Sequence, residues 1–104
     1  RQVRFPMLRL AQTVHKMILL TRSMLAGLAE KRDSHNTRDF RALRNECETL
    51  FSTGLAELYD VKESTPEAVL EVIKWSRAYD RMEKLIREVA DLVEAIEEAV
   101  LKNV

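Results

Sequence analysis

STPEAVLEVIKWSRAYDRMEKLIREVADLVEAIEEAVLKNV, residues 64–104, reads as one long helix, and its reading decides the fold. Its start is marked by a hydroxyl cap at Ser64-Thr65, a proline at the first turn (Pro66) and an acid, Glu67, three residues after Ser64. Beyond that point apolar residues recur every seven. One seam is Val72, Tyr79, Ile86, Val93 and Val100; a second is Ala68, Trp75, Met82, Val89 and Ile96; Ala78, Leu85, Leu92 and Ala99 flank them. Three apolar positions per heptad suit a bundle core better than a two-stranded coiled coil. A helix of roughly 36 residues is about 54 Å long, which requires long antiparallel neighbours.

Two such neighbours lie upstream. Pro6 fits a first helical turn, and from there Met7, Ala11, Val14, Ile18, Leu25 and Leu28 recur at three- and four-residue steps, with Leu10, Met17, Leu20 and Met24 beside them. The polar stretch Glu30–Asn36 ends this helix and offers N-caps for the next. The second helix carries Phe40, Leu43, Cys47, Leu50, Gly54 and Leu58, widened by Phe51 and Leu55. Gly54 costs a helix interior about 1 kcal/mol relative to Ala, so it marks either a close helix–helix approach or a small kink. Helices over about residues 6–30, 37–59 and 65–103, joined by short polar turns, give an all-α, up-down three-helix bundle spanning residues 1–104.

The composition agrees. Of 104 residues, 46% are hydrophobic and 33% charged, with two glycines and two prolines, the balance of amphipathic helices rather than strands. The formal charge is zero but unevenly placed. Residues 1–45 hold ten Lys/Arg against three Asp/Glu, and residues 46–104 hold seven against fourteen. Either a basic helix packs beside an acidic one, or Arg1, Arg4, Arg9, Lys16 and Arg22 present a basic surface to an acidic partner or to anionic lipid. No run of apolar residues is long enough to span a bilayer, and a cytoplasmic location is expected. The chain opens at Arg1 without an initiator methionine, which suggests a piece of something longer.

No catalytic constellation is present, so the chain does not read as an enzyme. The lone Cys47 lies on the core stripe and reads as a buried, inert thiol. Neither His15 nor His35 follows a Glu by three residues, which excludes a ferritin-like di-iron site. There is no Gly-rich phosphate loop, no nucleophile elbow and no zinc-type Cys/His pairing. Trp75 and Tyr79 sit at seam positions and read as core rather than as base-stacking platforms, so no nucleic-acid partner is expected. The ladders Asp80–Lys84–Glu88 and Glu83–Arg87–Asp91 support the helix by about 0.2–0.5 kcal/mol per pair and need no ligand to explain them.

From Leu43 to Val104 the chain resembles the last two helices of the PhoU-like phosphate transport regulators, in the branch of accessory proteins that accompany low-affinity inorganic phosphate transporters. The residues that carry the resemblance are LRNECETLFSTGLAELYD, PEAVLEVIKWSRAYDRME and the terminal VEAIEEAVLKNV. Ile73-Lys74-Trp75 with Tyr79, and Leu101-Lys102-Asn103, are its most specific elements. The resemblance implies one half of a six-helix protein. It also implies a regulator rather than an enzyme, cytoplasmic and peripheral to the inner membrane, with an inorganic phosphate transporter as partner and homo-oligomers expected. Some relatives bind metal clusters through acid-x-x-x-acid pairs. Here the matching positions are Arg44 with Glu48, and Glu83 with Arg87 followed by Asp91, so each pair has lost an acid to an arginine. Glu48, Glu83 and Asp91 are thus the candidate ligands for a divalent or iron metal. Arg44 and Arg87 are expected to stand in for that metal as ion-pair partners, leaving no cofactor.

Overall fold

The structure, a computed structural model, describes residues 5–30, 36–60 and 64–102. Three helices follow one another: α1, Phe5–Glu30; α2, Asn36–Tyr59; and α3, Pro66–Lys102. No strand occurs among the described residues. The helices form the expected up-down-up bundle, with every pair in contact and α1 packed most extensively on α2. The 37 residues of α3 span about 55 Å at 1.5 Å per residue. That rod sets the long axis of a molecule measuring 59 × 20 × 17 Å.

The start of α3 differs by one residue from the sequence reading. Thr65 is the cap: its Oγ1 accepts from the Ala68 N–H at 3.1 Å, and its carbonyl accepts from the Val69 N–H at 3.1 Å. Pro66, with no N–H and a fixed φ, takes the first helical position, which makes the residue before it the cap. Ser64 and Glu67 therefore do not form a capping box. Glu67 instead lies in the first turn, where the helix dipole favours an acid.

Antiparallel packing sets the register of α2 and α3. Phe51 meets the Tyr79 ring edge-on, with centroids 6.1 Å apart. Tyr59, the last residue of α2, shares a 3.0 Å hydrogen bond with Ser76. Residues 66–75 of α3 therefore run on past the end of α2 by roughly 15 Å. Gly54 marks a close approach and not a kink, because α2 is continuous through it. A Cβ built at Gly54 would lie 2.6 Å from Cζ and 2.9 Å from Cε1 of Tyr79, so the absent side chain is the space that Tyr79 occupies.

The core runs the length of the bundle. It is built from Met7, Leu10, Val14, Met17 and Met24 of α1, Phe40, Cys47 and Leu58 of α2, and Tyr79, Ile86, Ala90, Val93 and Ile96 of α3. Two parts of the expected stripes lie elsewhere. On α1 the buried line is Met7–Leu10–Val14–Met17–Thr21–Met24, whereas Ala11, Ile18 and Leu25 are exposed. The line includes Thr21, and Thr13 is buried beside it, because each hydroxyl donates to the carbonyl four residues back: Thr21 to Met17 at 2.8 Å, Thr13 to Arg9 at 2.9 Å. A threonine satisfied by its own helix is cheap to bury and packs as a β-branched apolar residue. On α3 the flank Leu85–Leu92 and the end of the first seam, Val100, are exposed, since only two neighbours are present to cover three rows.

Candidate functional site

Three places gather polar groups. The first joins α1 to α2. Arg9 Nε lies 3.5 Å from Glu46 Oε1, and Thr13 Oγ1 also reaches that oxygen at 3.4 Å. Arg9, one of the predicted basic-surface residues, is therefore committed to its own bundle. Both partners are substantially exposed, so the pair contributes about 0–1 kcal/mol and serves to orient α1. Lys16 and Arg22 are exposed, while Arg1 and Arg4 lie outside the described residues. Lys16 borders a shallow, open depression with Ala11, Gln12 and His15.

The second place is a groove of about 270 Å³ between the first half of α2 and the second half of α3. It is lined by Thr37, Phe40, Arg41, Arg44, Ala90, Val93, Glu94 and Glu97. Two guanidiniums from α2 face two carboxylates from α3 over an apolar floor. The balance of charge favours neither an anion nor a cation, and the groove is lined by no thiol or imidazole. It can pair ions across the helix interface, and nothing in it activates a reacting group. Its carboxylates were not singled out from the sequence, because Glu94 and Glu97 meet Arg41 and Arg44 only once the α2–α3 register is known.

The third is the predicted metal set. Glu48, Glu83, Asp91, Arg44 and Arg87 are all exposed. Arg87 Nη2 donates to Glu83 Oε1 at 3.4 Å, one turn apart on the same helix. Arg44 lines the groove facing Glu94 and Glu97. Among the described residues, no three His, Cys, Asp or Glu side chains gather closely enough to hold a metal ion.

Cys47 sits in the core and is 1% exposed. Its thiol donates to Met17 Sδ at 3.6 Å. Burial, reinforced by the charges of Glu46 and Glu48, pushes the thiol from an ordinary value of 9.0 up to about 11. Such a thiol keeps its proton at neutral pH and is a poor nucleophile. The linkage to folding has a definite sign. As pH rises past about 9, the unfolded thiol ionises while the folded one keeps its proton, so stability is full below that pH and falls as pH climbs towards 11. Chemical denaturation between pH 8 and 11 is expected to show this loss in the native chain and a shallower decline in Cys47→Ala; parallel slopes would contradict it.

The residues that carry the family resemblance are also placed. Tyr79 is buried against Phe51 and Gly54. Trp75 is half-buried, and its Nε1–H donates to Glu71 Oε2 at 3.1 Å. Lys74 Nζ lies 5.6 Å from the centre of the Trp75 ring. Ile73 and Leu101 are exposed, and Asn103 lies outside the described residues. No helix among the described residues is long and apolar enough to cross a membrane. Comparison with family models, with curated proteins and with solved structures yields no match for this chain.

Proposed function

We propose that this chain is a regulatory module of inorganic phosphate transport that works by helix-to-helix contact with a transporter and not by catalysis. The observation that carries the contact reading is the apolar surface left in the open on the outer side of α1, where Leu8 and Leu19 share one face of the helix. Apolar surface arranged in rows on long helices is what a partner helix buries. The link to phosphate transport rests on the resemblance of residues 43–104, above all Ile73-Lys74-Trp75 and Tyr79. In this reading the protein is cytoplasmic and peripheral to the membrane. It carries no cofactor and binds no nucleic acid.

A pull-down from detergent-solubilised host membranes, with the tagged protein as bait, tests it. Retention of an inorganic phosphate permease is the expected result. Weaker retention after charge reversal at Lys16 and Arg22 would place the contact on α1. Failure to retain the permease, from membranes shown to contain it, would overturn the transport reading.

A further inference from the structure

Two exposed heptad rows border the same seam. On α1 the row Ala11–Ile18–Leu25 lies past Val14 and Thr21, on the side away from Arg9 and Thr13, which face α2. On α3 the row Ala78–Leu85–Leu92–Ala99, exposed at its two leucines and half-buried at its alanines, lies past Met82 and Val89, on the side away from Ser76 and Tyr79, which face α2. Helical rotation of about 100° per residue therefore turns both rows to the side of the bundle opposite α2. Ile18 is 43% exposed and Leu92 45%, so this face is apolar and open.

The charges beside the row on α3 change sign at its middle. From 74 to 84 the exposed charges of α3 are Lys74, Arg77, Arg81 and Lys84 against two acids, Asp80 and Glu83. From 88 onward they are Glu88, Asp91, Glu94 and Glu98 against one base, Lys102. A pattern that inverts about its own centre is complementary to a copy of itself turned end for end. The α2–α3 register brings the centres together. Stepping seven residues from the Gly54–Tyr79 contact puts Cys47 level with Ile86, and Cys47 touches Met17, which is next in the chain to Ile18, the midpoint of the exposed row on α1.

We propose that the chain pairs with a second copy through the α1–α3 face, with α3 lying antiparallel on the partner's α3 about a two-fold axis level with Ile86. That arrangement lays the basic half of each α3 on the acidic half of the other and closes the rows of Ile18, Leu25, Leu85 and Leu92 against their counterparts. A two-fold axis parallel to the helices would instead set α3 on the partner's α1, leaving the four bases of 74–84 unopposed. The pairing holds whether or not the transport reading does, since it concerns the chain alone.

Sedimentation velocity on the full chain tests it. The native protein is expected to sediment as a dimer. Two variants, one with Lys74→Glu, Arg77→Glu, Arg81→Glu and Lys84→Glu, the other with Glu88→Lys, Asp91→Lys and Glu98→Lys, are each expected to weaken dimerisation at least about tenfold. All seven sites are exposed, and circular dichroism reports whether each variant keeps its helices. An equimolar mixture of the two is expected to regain the dimer. Direction is read by disulfide trapping. Arg77→Cys and Ala95→Cys lie nine residues either side of Ile86, so mixed they should cross-link to each other and not to themselves. A monomer at millimolar concentration, a dimer indifferent to both charge variants, or cross-linking of Arg77→Cys chains to one another would overturn the proposal.

Discussion

Replacing Gly54 by alanine is expected to destabilise the bundle, although the same change in an isolated helix would stabilise it. Alanine is preferred over glycine in a helix interior by about 1 kcal/mol. Here the new methyl group would lie within 3 Å of two ring carbons of Tyr79. Tyr79 is 1% exposed, with Phe51 against its edge, so the ring has no free direction in which to turn. The helices must part instead, and overpacking of this kind costs about 1–3 kcal/mol. For a chain of this length that lowers the melting temperature by about 4–8 °C per kcal/mol. Calorimetry at matched concentration checks it, together with a second background. In Tyr79→Leu the ring is gone, and Gly54→Ala should there be neutral or stabilising. A Gly54→Ala protein that melts higher than the native one would show that the close approach is not what holds α2 to α3.

The second large effect is at Leu10, which is 0% exposed among the buried residues of α1. Truncation to alanine removes buried methyl groups and leaves a cavity that long packed helices refill only in part, for a loss of about 2–5 kcal/mol. Leu70 provides the contrast. It is 65% exposed on the part of α3 that runs past α2, and Leu70→Ala should change stability by no more than about 0.5 kcal/mol. Denaturant titration of both variants measures the difference. Equal effects would mean that the interior of the bundle is not organised as described.

How far the sequence could be read depends on which distance each feature spans. The helix count and the two seams of α3 as far as Ile96 need only local periodicity, and they hold, whereas the flank of Leu85 and Leu92 and the seam end at Val100 lie in the open. Burial of Cys47 follows from its place on a stripe. The orientation of α1 was misjudged by part of a turn. Periodicity weighs apolar residues alone, and α1 is apolar on two sides, so Ile18 and Leu25 looked as buried as Met17; Thr13 and Thr21 looked polar because a hydroxyl bonded within its own helix cannot be seen in a residue type. Gly54 was ambiguous between a kink and a close approach, since the deciding residue, Tyr79, lies 25 positions away. The groove of Arg41, Arg44, Glu94 and Glu97 was not seen for the same reason. The Arg44 and Arg87 substitutions were read as partners for nearby acids, yet Arg44 faces α3 across the groove, while Arg87 meets Glu83 as local spacing allows.

The two helix interfaces differ mechanically. Between α2 and α3, an aromatic ring fills the notch at Gly54, and sliding one helix along the other would drive that ring into backbone. The inward face of α1 has no such peg. It presents Met7, Met17 and Met24, whose unbranched chains adapt to what they meet, and two threonines whose hydroxyls bond back to their own helix. A polar tether to α2 is the carboxylate of Glu46, shared by Arg9 and Thr13 near the surface. The bundle thus has one locked joint and one lubricated one. Although α1 packs more extensively on α2 than α3 does, its contacts are of a kind that can slip, so a load along the bundle axis would be taken up by a short slide of α1 and not at the Gly54 notch.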